Sequence, residues 1–190
     1  MSFLDDAFKG LYTQFILHDI MGKIIPGSLV LLAGCFFFYS SLGEVFRDAK
    51  NVPFALWLVG IGLAWLVGFG LQSARNDMGR GQVDESTTRY RHRIKFYQLA
   101  GPYEYQQLNR FWLVRDATGN GSNSLFVVAI LLAAKLVVMW VAGELNLSLA
   151  AIVLLAAGLG LALRKISNSY DEKRSIFMKT TISLHQEKET

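Results

Sequence analysis

The sequence predicts an all-α membrane protein: a four-transmembrane-helix bundle with an N-terminal amphipathic helix and a helical loop on the cytoplasmic side. Three observations carry that prediction. Of 190 residues, 52% are hydrophobic and only 18% charged, against roughly 25% charged in ordinary soluble domains. The apolar residues are gathered into four long runs, with nearly all charges between them. The basic residues are also divided very unequally between alternate connections.

The first run covers residues 24–42 and opens on Pro26 and Gly27. Proline is tolerated in a first helical turn, where its missing N–H costs nothing. If Asp19 caps the helix one turn earlier, Pro26 instead falls inside it and should kink it. Lys23 is placed to snorkel toward the headgroups. The second run, residues 53–71, again has proline at its start; Trp57 suits an interfacial belt, whereas Trp65 lies too deep for one. The third run, residues 124–142, is interrupted only by Lys135. The fourth, residues 147–163, is 17 residues long, at the short end of the roughly 17–25 that span a bilayer. Four residues separate the last two runs, so they should form a tight antiparallel hairpin.

Orientation follows from lysine and arginine in the connections. Residues 72–123 carry eight (Arg75, Arg80, Arg89, Arg91, Arg93, Lys95, Arg110 and Arg115) and residues 164–190 carry six. Residues 43–52 carry only Arg47 and Lys50, and residues 143–146 none. Both termini and the long loop are therefore expected in the cytoplasm.

At the N-terminus, Leu4, Phe8, Leu11, Tyr12, Phe15 and Ile16 recur at helical spacing among Asp5, Asp6, Lys9 and Gln14. That pattern suits a helix lying in the headgroup plane or packed on the ends of the spans. No basic cluster or cleavage site of a signal peptide precedes the first run, so that span is expected to be retained. The organisation expected is an interfacial helix over residues 1–22, a transmembrane hairpin over 23–71, a cytoplasmic loop over 72–123, a second hairpin over 124–163 and a cytoplasmic tail over 164–190. The loop is too aromatic for a solvated linker. Gly101 and Pro102 divide it, residues 103–117 read as a helix, and residues 118–123 (TGNGSN) read as a break before the third span.

Lys135 is the main polar candidate at membrane depth, where a charge costs roughly 2.5–3.5 kcal/mol even on lenient scales. It either lines a polar cavity or pore, or is bonded to hydroxyls or backbone carbonyls inside the bundle. Gly60, Ala64 and Gly68 in the second run, and Ala156 and Gly160 in the fourth, make small faces that let another backbone approach. Such faces serve packing within a subunit or between copies, and a homo-oligomer is expected.

Arg89, Arg91, Arg93 and Lys95 alternate with Tyr90, His92, Ile94 and Phe96, a period that also suits a strand with one basic face. Together with Trp112 and Arg115 they are candidate contacts to anionic membrane lipids, which attract basic residues near a bilayer, or to a soluble cytoplasmic protein. Direct nucleic-acid binding is not expected. No hydrolase, phosphate-binding or zinc motif is present. The lone Cys35 sits in an apolar run and reads as packing material. Neither catalysis, a metal nor a cofactor is expected.

The stretches GKIIPG at 22–27 and RFWLVRDATGN at 110–120, on either side of a charged loop, resemble a loose group of small prokaryotic four-span membrane proteins. By architecture the chain is also similar to membrane components of bacterial antiphage systems. That likeness implies a sensor, an anchor or a membrane-disrupting effector. The reading of the residues is a non-enzymatic membrane protein that docks a soluble partner through its loop, with an oligomeric pore or a small-solute transporter as alternatives.

Overall fold

The glycine- and asparagine-rich stretch at 118–123, which the sequence marks as a break, lies inside one unbroken 40-residue helix, Pro102–Val141. This helix organises the molecule. In the computed structural model, which describes residues 16–39, 42–78, 83–144 and 146–187, every regular element is helical. The helices in chain order are α1 (Ile16–Phe38), α2 (Leu42–Ala49), α3 (Phe54–Met78), α4 (Val83–Leu99), α5 (Pro102–Val141) and α6 (Leu147–Glu187). Four of them, α1, α3, α5 and α6, are long and apolar enough to cross a membrane. The first 15 residues of the expected interfacial helix lie outside the described residues, and its remainder is the first turns of α1.

Pro26 shapes α1. A proline has no N–H to give the carbonyl four residues earlier, here that of Gly22. The helix widens at this point into a π turn, Ile20–Ile24, in which the Ile25 N–H bonds to the Ile20 carbonyl. Asp19 makes no side-chain cap. It lies inside the helix, and Lys23 Nζ meets its carboxylate at 2.5 Å. The Lys23 ammonium also stands over the rings of Trp65 (5.1 Å) and Phe69 (5.8 Å) on α3. Lys23 is thus held in the bundle instead of reaching for headgroups.

The small faces of α1 and α3 meet directly. A β-carbon on Gly27 would lie 1.8 Å from the Ala64 carbonyl oxygen, and one on Gly68 would lie 2.1 Å from that of Lys23. Only glycine permits this approach. Ala64 is 2% exposed. On the chain between them, residues 42–49 form the two-turn helix α2 where the sequence suggested only a connection. The Pro53 carbonyl then accepts the first helical bond of α3 from the Leu56 N–H at 2.9 Å.

α5 begins at Pro102, preceded by an extended Gly101. It ends in a glycine turn that explains the tight hairpin. Gly143 has φ +84°, its N–H bonds to the Trp140 carbonyl, and the Glu144 N–H reaches back to that of Met139. This pair of bonds is the Schellman arrangement, which needs a left-handed residue. Asn146 then caps α6, its Oδ1 accepting from the Leu149 N–H at 2.9 Å.

At about 1.5 Å per residue, helices of 40 and 41 residues run about 60 Å, twice the roughly 30 Å of a hydrocarbon core. Each therefore has an apolar half and a polar half. Of the residues expected to form a separate tail, 164–187 are the continuation of α6. Along the apolar halves, α5 packs against α1, α3 and α6. Along the polar halves, α4 joins α5 and α6. Phe96, Leu108, Met178 and Ile182 form a buried cluster there, with Leu99, Ala100 and Phe177 packed on it. Loop and tail thus share one core, a three-helix platform. The strand alternative for residues 89–97 does not hold. At helical spacing His92, Phe96 and Leu99 share one face, and Phe96 is fully buried on it.

Candidate functional site

A polar seam joins α1 and α5, which run in the same direction. His18 Nε2 lies 3.2 Å from Asp116 Oδ2, and Asn120 Nδ2 donates to the Gly22 carbonyl at 2.5 Å. In both pairs the partners are 98 residues apart. Asp116 and Asn120 are one helical turn apart on α5, as are His18 and Gly22 on α1, so each turn meets its counterpart. In α-helical register the Gly22 carbonyl would take the N–H that Pro26 lacks, and the Asn120 amide donates to it. Asn120 is fully buried, and its Oδ1 has no hydrogen-bond partner among the described residues.

Farther along the same seam, Lys135 Nζ donates to the Phe36 carbonyl at 2.5 Å and to that of Tyr39. It also sits 3.8 Å from the centre of the Phe36 ring. These are the last carbonyls of α1, which carry the negative end of its dipole. The Phe36 carbonyl also accepts from the Tyr39 N–H at 3.3 Å; a cation at these carbonyls complements that end of the dipole, and the ring face adds a further attraction.

The stretch 118–123 is helical because its side chains tie the bundle together. Ser122 Oγ donates to the Gly160 carbonyl at 2.8 Å. Asn123 Nδ2 donates to the Leu71 carbonyl at 3.2 Å and its Oδ1 accepts from Arg164 at 3.1 Å. Asn120, Ser122 and Asn123 therefore bind α1, α6 and α3 respectively, and these contacts outweigh the weak helix propensity of glycine and asparagine. The small residues behave accordingly. Ala64 and Gly68 are buried against α1; Ala156 is buried, and Gly160 sits beneath Phe126 and Ser122. A β-carbon on Gly60 would meet no heavy atom within 4 Å among the described residues.

On the platform the predicted contact residues separate into two groups. Arg93 stacks over the Trp112 ring at 4.3 Å, and Arg174 approaches the same ring at 6.0 Å. Arg115 pairs with Asp171 at 3.0 Å and with Asp116 at 3.3 Å, and Asp171 pairs with Arg174 at 3.1 Å. Burial holds the Arg174 guanidinium below its ordinary value, while Asp171 pulls the other way. Arg93, Trp112 and Arg115 thus belong to an internal network linking α4, α5 and α6, and through Asp116 and His18 it reaches α1. Arg91 and Lys95 point outward. Arg89 lies on α4, and its side chain lies outside the described residues.

Sequence reasoning did not single out His18, Asp116, Asn120 or Asp171. Two signals were available. Gly22 and Pro26 stand four apart, which marks a carbonyl without its donor, and Asp116 and Asn120 stand four apart, which marks one polar helix face. Among the described residues, no group of three His, Cys, Asp or Glu is placed to hold a metal ion. No protein-family model, characterised protein or solved structure matches the chain.

Proposed function

We propose that the chain is a non-enzymatic anchor of a bacterial inner membrane that docks a soluble protein on its three-helix platform, with the platform in the cytoplasm. The observation that supports this reading is the continuity of α5 and α6. Each passes unbroken from an apolar half into the platform. A platform held by two continuous helices and its own core keeps a fixed height and orientation above the bilayer, as a docking surface requires. The excess of basic residues in the loop and tail supports the cytoplasmic placement. The likeness to antiphage membrane components adds a setting in which such an anchor or sensor would serve.

The pore alternative rests on Lys135 and the small-residue faces; the Lys135 ammonium bonds carbonyls at the end of α1.

The test is purification of the intact protein in mild detergent, followed by mass spectrometry of bound proteins and of the whole complex. A stoichiometric soluble protein, lost when Trp112→Ala loosens the platform, is expected. A homo-oligomer without a partner, or a partner indifferent to Trp112→Ala, would sink the reading.

A further inference from the structure

We infer that the outward face of α4 is the docking surface, and that its occupant is an acidic amphipathic helix of a soluble protein. This rests on the docking reading above and adds to it the place and the chemistry of the partner.

Arg91, Ile94, Lys95 and Gln98 recur at three- and four-residue spacing and are all exposed, on the face of α4 opposite the buried Phe96. Ile94 is 43% and Tyr97 39% exposed. Tyr97 is held rigidly: its ring stacks on Tyr105 at 5.4 Å with 23° between planes, and the Tyr105 hydroxyl donates to the Tyr97 carbonyl at 2.8 Å. An ordered aromatic ring presents contact area with little entropy to lose, and tyrosine and arginine are the residues that interfaces enrich. Residues 91–100 contain Arg91, Arg93 and Lys95 and no carboxylate. Arg93 is turned inward onto Trp112. The face therefore offers an apolar stripe, Ile94 and Tyr97, bordered by Arg91 and Lys95. Its complement is a helix with an apolar stripe bordered by aspartate or glutamate.

Height decides between such a helix and anionic lipid. Phe96 clusters with Leu108, and Arg93 stacks on Trp112, so α4 runs antiparallel to α5 with Lys95 level with about Asn109. From Asn109 to Ser124, where the apolar run begins, is about 22 Å along the helix. The headgroup layer takes up about 5–8 Å of that. Lys95 then stands about 15 Å above the headgroups, beyond the Debye length of about 8 Å at physiological salt. The surface potential of a bilayer has decayed at that distance. Lys95 therefore serves something other than lipid, whereas Arg91, level with about Val114 and about 7–10 Å above the headgroups, is near enough for either.

The test places a photoreactive benzoylphenylalanine at Gln98 of the full chain in native membranes and identifies the adduct by sequencing. The expected adduct is a segment of a soluble protein with acidic residues bordering a helical apolar stripe. Lys95→Glu should lower its yield about tenfold, a loss typical of a reversed interface charge, and a Glu→Lys change in the captured segment should restore it. A lipid adduct, an adduct to a second copy of this chain, a segment without the acidic border, or a yield indifferent to Lys95→Glu would each overturn the inference. Failure here with a Trp112-sensitive partner still present in the purification would leave the docking reading standing and move the surface elsewhere. Loss of that partner from the purification as well would overturn both.

Discussion

Asn120 repairs α1 from the neighbouring helix: its amide donates to the Gly22 carbonyl, which in α-helical register would take the N–H that Pro26 lacks. The two defects, a proline inside one helix and a buried asparagine inside another, are therefore one device. Leaving a buried carbonyl unsatisfied costs about 1–3 kcal/mol. Asn120→Ala should lower stability by that amount. In a Pro26→Ala background, where residue 26 again has an N–H, the same substitution should cost measurably less. Thermal unfolding of the four proteins in one detergent closes the cycle. Equal costs in both backgrounds would show that the amide does not serve the proline.

The glycines of α1 and α3 provide a graded test. A β-carbon on Gly27 or Gly68 would overlap backbone of the facing helix, and Gly60 has open space. Gly27→Ala and Gly68→Ala should each destabilise by about 1–3 kcal/mol or more, the range of overpacked cores. Gly60→Ala should be neutral or slightly stabilising, because alanine favours helix over glycine. The readout is the fraction surviving as a monodisperse species after heating. Loss of monodispersity with Gly60→Ala would place a second copy against that open face.

Lys135 is expected to act as a clamp on the end of α1. Lys135→Leu should speed hydrogen exchange around Phe36 and Tyr39, whose carbonyls it bonds, and lower the unfolding temperature. Ion flux across liposomes holding the purified protein should be the same for wild type and variant. A variant that changed flux while leaving exchange untouched would restore the pore alternative.

The platform should respond as a unit to its central ring. Trp112 lies under Arg93 and beside Arg174, so Trp112→Ala removes both buried area and two cation–ring contacts. Truncations of this kind cost about 3–5 kcal/mol. Exchange should rise across α4 and the polar half of α6, and stay unchanged around Ala64 and Gly27. Exchange rising uniformly over all helices would show that platform and bundle unfold together instead.

Much of this molecule was legible in one dimension where a residue's role is set by its near neighbours. Gly101 and Pro102 divide the loop, and the four residues 143–146 close a tight hairpin, because turn and capping geometry are local. Residues 118–123 misled because their glycines and asparagines carry a local signal for a break. Opposing it are bonds from Asn120, Ser122 and Asn123 to three other helices, invisible along the chain. Trp112 and Arg93 looked like outward contacts for the same reason. Their composition suits an interface, and only their position shows that they face each other.

The sequence by itself determined four apolar helices, a tight hairpin between the last two and a folded segment between the middle two. In hydrocarbon a helix satisfies every backbone group within its own length, so apolar length alone implies it. Only the tertiary structure decided that α5 runs unbroken, that loop and tail share one core, that α1 borrows a donor from Asn120, and that Lys135 ends α1. Each of these depends on contacts between residues far apart in the chain, and such contacts form only when the helices pack.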